Sequence, residues 1–137
     1  MTTLNLRKNP YAQYRQQNVM TASSGELTLM LYDGCIKNLK LGKMHIDEKD
    51  IEKTNEALTK SQDIVFELIR TLDNQYEISG QLFALYQFVL DKISASNVSK
   101  EDMGIDDAID IMAGIREAWQ EAVKINRQQS YEETGTV

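Results

Sequence analysis

Three features of the sequence predict an all-α fold, an antiparallel up-down four-helix bundle with a flexible N-terminal arm. Four segments of about 20 residues repeat apolar side chains every three to four positions. One proline and seven glycines among 137 residues leave little turn material for a β-sheet protein. The intervals between segments, at 45–50, 73–77 and 97–99, are too short for crossovers, so neighbouring helices must run antiparallel.

The first helix is predicted to open at Ser23, where Ser23 and Glu26 are spaced as a capping box. Leu27, Leu31, Cys35 and Leu39 form its stripe, widened by Leu29, Tyr32 and Ile36, and Gly42 with the polar run that follows is expected to end it. The second runs from near Asp50 to about Leu72 on Leu58, Val65, Ile69 and Leu72, with Ile64 and Leu68 beside them. Asp73 and Asn74 then supply turn chemistry. The third covers about Ile78 to Ser96 and is expected to break at residues 97–99. The fourth begins at Ser99 and ends near Arg127, with Glu101, Asp102, Asp106, Asp107 and Asp110 in its first half and Lys124 and Arg127 in its last turn, as the helix dipole favours. Residues 128–137 lack an apolar period. The chain therefore divides into an arm (1–22), a bundle (23–127) and a flexible C-terminal tail (128–137).

Charge narrows the function. The formal net charge is −6, which argues against non-specific grip on nucleic acid. It is also unevenly placed. Residues 1–25 hold Arg7, Lys8 and Arg15 and no acid, a formal +3, leaving −9 on the remainder. A basic arm on an acidic body is drawn to that body at low salt; a frayed terminus reads the same composition equally well. The apolar stretches 27–32 and 82–90 are much shorter than the roughly 20 residues of a membrane span, so no membrane insertion is expected. One cysteine forms no internal disulfide, and no signal-like opening is present, so a reducing cytoplasmic location is expected.

Catalytic chemistry finds little to work with. His45, the one histidine, leaves di-iron and zinc sites short of ligands. Cys35 lies on the apolar stripe, where a thiol serves as a small core filler. No glycine-rich phosphate loop occurs, and neither cofactor nor metal is expected. The alternative from another class is a histidine phosphotransfer domain using His45, although Asp47 and Glu48 beside it would repel a phosphoryl group.

The apolar faces carry more information. A bundle helix needs an arc of a little over 100°. On the third helix Leu82, Leu85, Tyr86, Val89 and Ile93 form one stripe, which Phe83, Leu90 and Phe88 widen to roughly 220°; the first helix reaches roughly 200°. Deep burial of these two helices would account for the excess. So would cover from the arm, or an exposed groove for a partner's amphipathic helix.

Several words of the sequence are specific. Tyr14 to Val19, then Thr21-Ala22-Ser23-Ser24-Gly25-Glu26-Leu27 and Met30-Leu31-Tyr32-Asp33-Gly34, closely resemble the opening of the flagellar secretion chaperone FliS family. Residues 60–68, Leu85-Tyr86-Gln87-Phe88 and Arg116-Glu117-Ala118-Trp119 are similar to later motifs of that family, in the same order. Ser24 stands where the family usually has proline, which weakens the helix start without removing it. The resemblance implies a cytoplasmic, non-enzymatic chaperone whose partners are the C-terminal segment of flagellin, kept from polymerising, and a component of the type III export gate. The match to the family's arm picks out Tyr14, Val19, Thr21 and Ala22 as partner-binding candidates. The edges of the wide arcs add Leu29, Tyr32, Ile36, Phe83 and Phe88. Leu31, Cys35, Val65, Leu82, Tyr86, Val89, Met112 and Trp119 read as core, and Tyr32 and Tyr86 also read as structural tyrosines with capped hydroxyls. The arm is expected to lie over part of the groove until a partner displaces it.

Overall fold

A computed structural model describes residues 24–133, which form four helices and, among the described residues, no strand. They are α1 (Ser24–Asp47), α2 (Ile51–Arg70), α3 (Glu77–Ser99) and α4 (Ile105–Glu133). Each packs beside its neighbours in a four-membered ring, α1 on α2 and α4, and α3 on α2 and α4. This is the up-down bundle that the short connections require. Leu39, Leu58, Ile64, Val65, Val89, Ile93, Ile105 and Met112 fill its centre.

The helix limits differ from the expected ones for local reasons. α1 continues through Gly42 to Asp47. Gly42 is a point of close approach, not a stop: a β-carbon there would lie 2.5 Å from Leu58 Cδ2. The chain turns with Lys49 in the left-handed region, and Asp50 caps α2 by accepting from the Lys53 amide at 3.0 Å. α3 runs on through residues 97–99, and the Ser99 hydroxyl donates back to the Ala95 carbonyl at 2.9 Å. Its end is Lys100, left-handed at φ 57°. α4 accordingly starts at Ile105, not Ser99, and the cap is Asp102, whose carboxylate accepts from the Ile105 amide at 2.8 Å. At its far end α4 passes Arg127 and continues to Glu133; no glycine or proline interrupts residues 128–133, so backbone propensity carries the helix on without an apolar stripe. Ser23 of the expected capping box lies outside the described residues.

Candidate partner-binding surface

Among the described residues, several of the family-like words are joined across the bundle. Tyr32 of α1 and Tyr86 of α3 join hydroxyl to hydroxyl across the core. Burial pushes both phenols above their ordinary range. Asp33 takes Arg116 Nε at 2.6 Å, tying α1 to α4, and Trp119 Nε1 donates to the Gly25 carbonyl at 3.0 Å. Trp119 and Leu82, expected wholly inside, are only partly buried. Both line a cavity of about 620 Å³ among the start of α1, the end of α2 and the α2–α3 turn. Leu27, Leu31, Leu68 and Leu72 supply apolar wall, and Asp73 and Ser79 polar atoms. Leu27 and Thr28 of its lining belong to the first turns of α1. Asp73 also shapes the turn, accepting from the Gln75 amide at 3.0 Å.

Among the described residues, the expected site residues do not gather in one groove. Tyr32 is a correction: it is 2% exposed and belongs to the core, because its hydroxyl has a partner inside and its ring can stay there. Leu29 and Ile36 are half-buried. They share a stripe with Asp33 and Lys43, which pair with Arg116 and Asp106 of α4, so the α1–α4 seam takes up much of the excess on α1. Phe83 and Phe88 do reach the surface, 43% and 39% exposed. They lie on opposite sides of α3. Phe83 repeats with Leu90 and Asn97, and Asn97 bonds Asn55 of α2 at 2.9 Å. Phe88 repeats with Leu85 and Lys92, and Lys92 lies against Gly104 at the start of α4. Tyr14, Val19, Thr21 and Ala22 lie outside the described residues.

Phe66 and Leu85 are two further large apolar side chains at the surface beside α3. Phe66, 49% exposed, is on the α2 stripe of Asn55 and so faces the Phe83 side. Leu85, 38% exposed, shares the apolar stripe of Leu82, Tyr86, Val89 and Ile93. Phe66 leaves a signal, since it falls off the Leu58–Val65–Ile69 line; Leu85 leaves none, because it sits within the apolar arc. The result is two seams flanking α3, one with Phe66 and Phe83, the other with Leu85 and Phe88.

Chemistry elsewhere is sparse. His45 Nδ1 is 3.0 Å from Glu48 Oε1 at the end of α1, a neighbour that disfavours a phosphoryl group. Cys35 is buried with its thiol pushed up to about 12 by desolvation. Among the described residues no group of side chains is arranged to hold a metal ion, and no helix is long and apolar enough to cross a membrane.

A helical bundle with an apolar end cavity and uncovered aromatic rings on both sides of one helix has the build of a polypeptide-binding protein. The flagellar protein FliS family pattern matches residues 7–126, and the chain belongs to that family of flagellar secretion chaperones. The flagellar secretion chaperone FliS of Bacillus subtilis (strain 168) is 35% identical over 124 residues, covering 90% of this chain and 93% of that protein. The chaperone of the same name from Campylobacter jejuni is 30% identical over 113 residues, 81% of this chain and 88% of that one. A crystal structure of a flagellar chaperone from bacteria superimposes with a TM-score of 0.69 over 86% of this chain and 98% of that one; at 21% identity it bears on the fold alone.

Proposed function

We propose that the protein binds the amphipathic C-terminal segment of flagellin in the cytoplasm, keeps it from polymerising and hands it to the type III export gate. Apolar surface is what such a client needs: covering its stripe blocks the contacts by which it assembles, and affinity alone suffices without a nucleotide site. The observation that carries the reading is the exposure of Phe66, Phe83, Leu85 and Phe88 around α3. An extended client can follow both seams, at an ordering cost of about 2–5 kcal/mol that keeps the complex releasable. The arm, with Tyr14, Val19, Thr21 and Ala22, is part of the proposal as a competing or client-touching segment; it precedes α1 in sequence, and the first turns of α1 line the cavity.

The test is a binding titration with the flagellin C-terminal segment. Phe88→Ala and Phe83→Ala each weaken binding by about 1–3 kcal/mol, the range of a moderate hot spot, while the thermal melt hardly moves. Unchanged affinity in both variants refutes the seams as the binding surface. A histidine phosphotransfer role predicts instead that a receiver domain labels His45; no label is expected.

A further inference from the structure

Lys92 is the one lysine of α3, and its position is unusual for a surface cation on an acidic body. Its stem fills the space left by Gly104, where a β-carbon would come within 2.7 Å of Lys92 Cδ. Its ammonium lies 4.9 Å from the centre of the Phe88 ring. Among the described residues no carboxylate lies within ion-pair distance of it. Asp91, next in sequence, projects roughly 100° further round the helix. On the facing side of α4, Ala108, Ile111 and Ile115 are uncharged, and Asp107, exposed beside them, makes no ion pair with Lys92. A lysine so placed is held in position by its stem and its ring contact, yet keeps ammonium donors uncommitted.

We infer that Phe88 and Lys92 form a composite recognition element, taking an amphipathic helix with a Glu or Asp side chain beside its apolar stripe. Phe88 and Lys92 are four residues apart, so ring and cation present themselves about one helical turn from each other. A docking helix matches that spacing with an apolar residue and an acid three or four positions apart. The ring takes the apolar side chain while the ammonium takes the carboxylate, in a seam from which the docked helix excludes water. The inference rests on the reading of α3 as a docking surface for amphipathic helices, and names the charge pattern of what docks there.

The experiment uses two synthetic amphipathic helices with the same apolar stripe, one flanked by Glu and one by Gln, titrated against the full chain. The Glu peptide is expected to bind about tenfold tighter, as a charge-assisted hydrogen bond allows. Lys92→Met keeps the stem and should bring the ratio to about one, and Lys92→Arg should preserve it. Equal affinity for the two peptides, no binding of either, or a preference that survives Lys92→Met overturns the inference. The flagellin segment is titrated in parallel: its failure to bind, beside an intact Glu preference, counts against the flagellin reading and leaves Lys92 in its role.

Discussion

Helices α2 and α3 are partners in the same bundle, yet they spend their apolar residues differently. α2 is one-sided. Thr54, Ala57, Leu58, Ser61, Ile64, Val65 and Leu68 are buried along one face, and Phe66 is the large apolar side chain left on its mid-helix surface. α3 is the more apolar helix by composition, but it buries only Ser79, Tyr86, Val89, Ile93 and Ser96. Phe83, Leu85 and Phe88 spread round the rest of it. The difference teaches that apolar content and burial are separate quantities. A helix whose stripe matches its contact face is consumed by the core, whereas one whose arc exceeds that face keeps surplus for a partner.

The widest separation between the two helices should appear on truncating the core. Leu58→Ala on α2 removes a wholly buried side chain against which Gly42 packs, and should cost about 2–5 kcal/mol in chemical denaturation. Phe83→Ala on α3 should leave the denaturation midpoint nearly unchanged. Equal losses would erase the distinction between core and docking helix.

A smaller effect isolates what α3 does contribute to the core. Tyr86→Phe leaves the Tyr32 hydroxyl buried without its partner, which should cost about 1–3 kcal/mol. Adding Tyr32→Phe should recover part of the loss, since removing both hydroxyls leaves nothing unpaired. A double-mutant cycle with no coupling would show that the pair does not hold α3 to α1.

The smallest effect is silent at neutral pH. Cys35 sits between α1 and α2, near the Ser61 carbonyl, and Ser61 donates back to the Cys35 carbonyl at 3.3 Å. Its thiol ionises near 9.0 when free and at about 12 in the fold. The folded state thus favours the neutral thiol, so its contribution is intact below pH 9.0 and is lost as the pH rises toward about 12. Stability measured against pH should fall across that window, and Cys35→Ala should flatten the part of the slope that the tyrosines do not cause. An unchanged slope in the variant would place the thiol in contact with water.

Much of this was legible beforehand. The stripes of α1 and α2 name the buried Leu31, Cys35, Leu39, Leu58 and Val65 directly, because periodicity reports the face a helix turns inward. The surplus on α3 was also legible, and Phe83 and Phe88 are exposed as its arc implies. The arc of α1 misled at Tyr32, since a wheel has no means of showing that a second tyrosine on another helix waits to pair with it. Gly42 misled as well. In isolation it is a helix breaker, and only the approach of Leu58 makes it a packing residue.

By itself, then, the sequence determined the number of helices, their antiparallel order, the acidic body with its basic N-terminal segment, and the family. These follow from periodicity, short connections, charge and ordered motifs, all of which are local or additive along the chain. The tertiary structure alone decided that Tyr32 goes inward, that Asp33 and Lys43 tie the stripe of Leu29 and Ile36 to α4, and that Phe83 and Phe88 face opposite sides of α3. It also decided that Lys92 rests over Phe88 with no carboxylate within ion-pair distance among the described residues. Those outcomes depend on which neighbour each side of a helix meets, and the periodicity of one helix holds no record of its neighbours' positions.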